Sequence, residues 1–164
     1  MIERERLITG VALSTQEIRV SLLSLPDQPG IVSQLFQSLA KAHINVDMII
    51  QSVERDTGQN PLMSDLAFTV HDNQLSLVRS CLSDLKEVIQ ADHVLEDEVA
   101  KLSIVGSGMR DAPGVAATLF DALSHVGINI KSISTSDIKI SVLLDRQHGQ
   151  KGLVAVHQAF GLDK

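Results

Sequence analysis

The sequence predicts an α+β fold built from two related units, and three observations predict it. The first is an internal duplication. DQPGIVSQLFQSLAKAHINV, beginning at Asp27, falls on DAPGVAATLFDALSHVGINI, beginning at Asp111. Identical residues pair at Asp27 and Asp111, Pro29 and Pro113, Gly30 and Gly114, Leu35 and Leu119, Phe36 and Phe120, Leu39 and Leu123, Ile44 and Ile128, and Asn45 and Asn129. The second is a change of period inside each copy, from alternation to a helical spacing. The third is composition: 44% of the 164 residues are hydrophobic, yet Trp and Tyr are absent and only four Phe occur. The core must therefore be aliphatic, and a chain of this length can bury one without staples.

Each copy opens on an alternating run, Ile18, Val20 and Leu22 in one and Leu102 and Ile104 in the other, as a half-buried strand requires. A Pro-Gly turn follows. Then apolar residues at Ile31, Leu35, Leu39 and Ala42, matched by Val115, Leu119, Leu123 and Val126, draw one helical face. INVDMIIQSV and INIKSIS read as second strands, SDLAFTV and DIKISVLL as third strands. A second helix in the first copy carries Leu75, Val78, Leu82 and Leu85; its counterpart carries Leu153, Val156 and Phe160. HVLEDE supplies the first copy with a fourth strand, which makes it βαββαβ, the ferredoxin-like arrangement.

The second copy reaches Lys164 with three strands, and LITGVALS (Leu7–Ser14) is left over at the other end. A bare strand edge is a liability. Leu7–Ser14 is therefore expected to complete the second unit as its last strand, so that the first unit is inserted in the second. The expected boundaries are 16–98 for one unit and 7–14 plus 99–164 for the other. Between the second and third strands of the first copy, Glu54–Asp65 is polar, with Gly58 and Pro61, and reads as a surface insertion rather than a lid.

The net charge of −6 argues against a nucleic-acid partner or an anionic membrane surface. Cys81 is the single cysteine, so no intramolecular disulfide is possible and a reducing compartment fits. No apolar signal core and no run of eighteen apolar residues occurs, and a cytoplasmic location is expected. His43, His71, His93, His125, His148 and His157 show no metal-ligand spacing, so neither a metal nor another cofactor is expected. Gly106–Gly108 lacks the third glycine of a dinucleotide fingerprint, because Asp111 stands there. Phosphate-loop and nucleophile-elbow patterns are missing from the sequence as well. Asp27 and Asp111 occupy equivalent positions of two units, whereas an acid/base pair must converge on one bond. No catalytic residue is expected.

The D-x-P-G turn has chemistry of another kind. Proline ends the strand cleanly and glycine lets the backbone turn into the helix. The helix start then offers N–H groups at Gly30, Ile31 and Val32 with the positive end of the dipole, a seat for a carboxylate. Asp27 beside it suits an ammonium group, and the two together describe a free amino acid. Asn45 and Asn129 begin the second strands and are expected near the same turn, and Asp47 offers a second ammonium partner. The plain structural alternative is that Asp27 caps the helix and Asn45 closes a helix-to-strand turn.

The βαββαβ pattern with D-x-P-G opening its first helix resembles the ACT domain, a small amino-acid-binding regulatory module. PDQPGI, INVDMIIQSV, VGSGM, PGVAATLFDAL, GINIKSISTSDIKISVLLD and AVHQAFGLDK together resemble the regulatory end of aspartate kinase, from about Leu7 to Lys164. The resemblance implies tandem, nested ACT domains that bind end-product threonine, lysine or both and inhibit the kinase. It implies a chain inactive alone, as either a separate small subunit or the regulatory end of a longer kinase, with the catalytic domain or large subunit as partner. By motif, Asp27, Gln28, Pro29, Gly30, Ile31 and Val32 would hold the effector's backbone groups, and Asn45, Val46, Asp47 and Gln51 would line the same pocket. The family pairs two chains, so Val115, Asn129, Ile130, Ser136 and Asp137 of a second copy would close the site in a homodimer. Ser52 and Asp137 depart from the family's commoner asparagine and glutamate and bear on effector choice. A free-standing sensor for another enzyme is the main rival. A phosphate-ester hydrolase would need an arginine cradle where LPDQPG has an acid, and a purely structural dimerisation module would ignore amino acids.

Overall fold

A computed structural model describes residues 7–53, 58, 62–107, 109 and 112–163. The chain divides into two compact units, one of residues 16–97 and the other of residues up to Thr15 together with those from Glu98 on.

In the unit of residues 16–97 the elements are β1 from Gln16 onward (whole strand Ile8–Pro26), α1 (Ile31–Lys41), β2 (Asp47–Val53), β3 (Met63–His71), α2 (Leu75–Asp84), α3 (Lys86–Ile89) and the start of β4 (Asp92–Gly106). The strands lie in the order β2-β3-β1-β4. β1 pairs antiparallel with β3, Ile18 opposite Val70 and Leu22 opposite Leu66; β2 pairs antiparallel with β3, Gln51 opposite Leu66. Alternation turns Ile18, Val20, Leu22, Leu66, Phe68 and Val70 to the helices, where they meet Leu35 and Leu39 of α1 and Val78 and Leu82 of α2 in one core. Cys81 is part of it, a buried thiol 3.9 Å from the Ser38 carbonyl oxygen. The phenyl rings of Phe36 and Phe68 meet at 5.7 Å.

The other unit holds the remainder of β1 and β4 with α4 (Val115–His125), β5 (Ser132–Thr135), β6 (Lys139–Asp145) and α5 (Gly149–Ala159), in the strand order β1-β4-β6-β5. β4 pairs antiparallel with β6, Leu102 opposite Val142, and β5 with β6, Ile133 opposite Val142. Its core is Ala100, Leu102, Ile104, Leu119, Leu123, Ile140, Val142, Leu144 and Val156, with Ile8. Gly149 and Gly152 let α5 sit close: an added Cβ would lie 3.2 Å from Leu13 Cδ1 at the first and 3.2 Å from Leu123 Cδ2 at the second.

Three expectations are corrected. Leu7–Ser14 and the strand of Ile18–Leu22 are one strand of 19 residues, because the polar Thr15, Gln16 and Glu17 keep extended geometry. HVLEDE and the Leu102–Ile104 run are likewise one strand, Asp92–Gly106. The long second helix breaks at Leu85, which ends α2 and starts α3. Most of Glu54–Asp65, together with Asp111 and Gly108, falls outside the described residues. Among the described residues no helix is long and apolar enough to cross a membrane.

Candidate functional site

The D-x-P-G turn is built at the end of β1. The ladder runs as far as Pro26 opposite Met63, and the Asp27 N–H then donates to the Leu62 carbonyl at 2.8 Å. Just before it, the register slips between Leu22 and Leu25, with Ser24 at φ +56°. The Asp65 carboxylate accepts the Ser24 N–H at 2.9 Å and holds this bulge.

Gly30 then takes the N-cap position of α1 at φ 96°, ψ −22°, a left-handed conformation with no Cβ to oppose it. A glycine has no side chain to give the helix start, so Asp27 is not the cap. The Ile31 N–H reaches the Gln28 carbonyl only at 3.4 Å, and among the described residues no backbone acceptor meets the N–H of Gly30 or Val32. Asp27, Gln28, Pro29 and Gly30 are exposed, Ile31 and Val32 half-buried. No hydrogen bond to the Asp27 carboxylate occurs among the described residues. The helix start thus presents donors on one side and an exposed carboxylate on the other, which is complementary to a zwitterion.

Gln51 joins this end. It lies opposite Leu66, itself opposite Leu22, and its Nε2 donates to the buried Ser64 hydroxyl at 3.3 Å. Asn45, Val46 and Asp47 do not join it. Asp47 lies opposite Thr69, which is opposite Arg19, seven ladder positions from Pro26. At ~3.3 Å per residue that is on the order of 20 Å along the sheet. Within one chain Asn45, Val46 and Asp47 are thus not brought to Asp27–Val32, for a reason of chain geometry. α1 carries the backbone about 16 Å away from the turn before β2 begins. At that far end Asp47 is engaged locally, its carboxylate accepting the Met48 N–H at 2.9 Å and its carbonyl accepting the Thr69 hydroxyl at 3.0 Å.

The second unit repeats the pattern. Gly114 holds the N-cap of α4 at φ 99°, ψ −12°. Val115 is buried in the core beside Leu119. Ser136 is occupied in closing the β5–β6 turn: its N–H donates to the Lys139 carbonyl at 2.8 Å, and its hydroxyl accepts the Lys139 N–H at 3.2 Å. Asp137 is exposed at the tip of that turn, whose Ile138 carbonyl accepts the Gly106 N–H at 2.9 Å. Asn129, exposed, and Ile130, half-buried, follow the other end of α4. Within this unit, therefore, Val115, Ser136 and Asp137 share one end of the sheet and Asn129 and Ile130 lie toward the opposite end. Asp65 and Ser64, which brace the first turn and its glutamine, were not singled out from the sequence; strand residues of this kind show no motif.

Among the described residues no group of three potential metal ligands occurs. The ACT domain family matches residues 19–87 and, in a second family model also described as an ACT domain, residues 102–160. The class defined by the fold and these matches is a tandem ACT-domain protein. The regulatory subunit of aspartate kinase from Thermus thermophilus, solved in a ligand-free form, is 39% identical with a TM-score of 0.85, covering 94% of this chain and 99% of that one. A structure of aspartokinase alpha and beta subunits is 38% identical with a TM-score of 0.82, over 93% of this chain and 98% of the matched chain. The aspartokinase of Thermus thermophilus is 40% identical over 99% of this chain. The chain belongs to the aspartate kinase regulatory family. It spans about 40% of the length of that curated relative.

Proposed function

We propose that this chain senses an end-product amino acid, threonine, lysine or both, and through it inhibits an aspartate kinase, whose catalytic domain or large subunit is its partner in the cytoplasm. The module boundaries proposed are 16–98 for one ACT domain and 7–14 plus 99–164 for the other, nested in the chain. The effector's carboxylate faces the Gly30–Val32 N–H groups, its ammonium faces Asp27, and Gln51 completes the near wall. In the homodimer, Val115, Ser136 and Asp137 of the second copy approach this end. A ligand held by two chains stabilises one arrangement of the pair, and coupling of about 1–3 kcal/mol to the kinase is enough for useful inhibition.

The observation that carries this reading is the first turn itself, where a left-handed glycine leaves the helix start open beside an exposed aspartate. Calorimetry with threonine and lysine tests it. The wild-type chain is expected to bind at least one of them, and Asp27→Ala to weaken that binding at least tenfold with an unchanged melting temperature. Equal affinity in the variant sinks the site; binding of neither amino acid by the wild type sinks the sensor.

A further inference from the structure

Between the second helix and the fourth strand of the 16–97 unit lies a cavity of about 550 Å³, within the range of small-molecule sites. Its floor is apolar, made by Leu22, Leu82 and Ile89, which are all buried in the core of that unit. Its rim is cationic at Arg79 and Lys86, from α2 and α3, beside the imidazole of His93 from β4. Arg79 and Leu82 lie at i, i+3 on one face of α2, and Lys86 opens α3 directly after the break at Leu85, so both charges and the apolar contact line the same space. Neither Arg79 nor Lys86 makes an ion pair or side-chain hydrogen bond among the described residues. Asp92 is the one acid of the lining.

This charge runs against the molecule, whose net charge is −6. It is also not a requirement of the fold. The corresponding place in the other unit, between α5 and the Val11 stretch of β1, has a cavity of about 420 Å³. Leu153, Val154, His157, Gln158 and Asp163 line it with Val11, and it holds neither Arg nor Lys. Two copies of one architecture thus keep a hollow at one location and make only one of them cationic.

We propose that the Arg79–Lys86–His93 cavity binds a small organic anion, with a phosphate or carboxylate head at the cationic rim and an apolar body against Leu22, Leu82 and Ile89. A guanidinium offers paired donors that fit either head group, and Lys86 adds a point charge. The low-dielectric floor focuses that field and gives the apolar body a gain the head alone lacks. The site is separate from the D-x-P-G turn, and its occupancy does not depend on Asp27.

Titration of the isotopically labelled 164-residue chain by NMR tests this, with phenyl phosphate, 3-phenylpropionate and inorganic phosphate as probes. At least one of the two aryl anions is expected to move the signals of Leu82, Ile89 and His93 in a saturable way. Inorganic phosphate is expected to bind at least fivefold more weakly, for want of the apolar body. Tighter binding of phenyl phosphate assigns a phosphorylated ligand, tighter binding of phenylpropionate a carboxylate. Arg79→Gln with Lys86→Gln is expected to weaken binding at least tenfold, and single Lys86→Gln about threefold, without altering the melt of the free protein. Asp27→Ala is expected to leave it unchanged. Absence of saturable shifts with both aryl anions, full affinity in the double variant, or shifts centred on Gly30–Val32 instead overturns the proposal. If the double variant melts early, Lys86→Gln alone decides.

Discussion

Gly30 and Gly114 sit at φ 96° and 99°, each at the N-cap of an 11-residue helix, and the same hydrogen bonds surround them. Gln34 N–H to Gly30 carbonyl is 2.9 Å, Thr118 N–H to Gly114 carbonyl 2.8 Å. At the far ends, Ile44 to Leu39 and Ile128 to Leu123 are both 3.0 Å. Around this shared frame the units differ. The first has a bulge braced by Asp65 before its turn, whereas the second leaves β4 at Gly106, hard against the start of β1. The left-handed position after the helix is His43 in one and Gly127 in the other. The duplicated part is backbone geometry, and the divergent part is what each unit packs or presents around it.

Gly106→Ala probes the sharpest of these differences. Its Cβ would overlap the Leu7 carbonyl oxygen, a backbone atom that cannot swing aside. A loss of about 1–3 kcal/mol is expected from such overpacking, read as the midpoint of urea unfolding. A loss under about 1 kcal/mol breaks the view that glycine is needed for close strand approach here.

Gly30→Ala and Gly114→Ala test the shared frame. An added Cβ finds open space at both, so only the positive φ is penalised. Each is expected to cost about 1–2 kcal/mol, and the two costs to agree within about 0.5 kcal/mol. Markedly unequal losses show that the turns are not energetically equivalent. The smallest effect is expected at His43, at φ +56° where its twin is glycine. His43→Gly relieves left-handed strain at the helix end and should be neutral to stabilising, by up to about 1 kcal/mol in thermal melts. Clear destabilisation assigns the imidazole a packing role.

The repeat made much of this legible, since a turn seen twice with its helix phase intact fixes where the helices start and which faces they bury. Leu35 and Leu39, and Leu119 and Leu123, are buried as the spacing requires. Strand continuity was not legible, because Thr15, Gln16 and Glu17 break apolar alternation while the backbone stays extended. Glu17 is even buried, at 7% exposure, which no periodicity announces. Asn45 and Asp47 stand close to the end of α1, not to its start, so nearness in sequence to the helix is not nearness in space to the turn. An 11-residue helix moves the chain about 16 Å before the next strand begins. Gln51, the eighth residue of INVDMIIQSV, is what returns to the turn.

The partition of β1 at Thr15 and Gln16 has a consequence for how the molecule is made. Residues 16–97 are contiguous and can assemble as soon as Asp97 has left the ribosome. Residues 7–15 are synthesised before that unit, yet they have their neighbours in β4 beyond Glu98 and must wait for them. Closing that gap joins segments roughly ninety residues apart, a slow step for a loop of such length. Newborn chains are therefore expected to pass through a stage in which residues 16–97 are folded and the Ile8–Thr15 stretch of β1 is still unpaired.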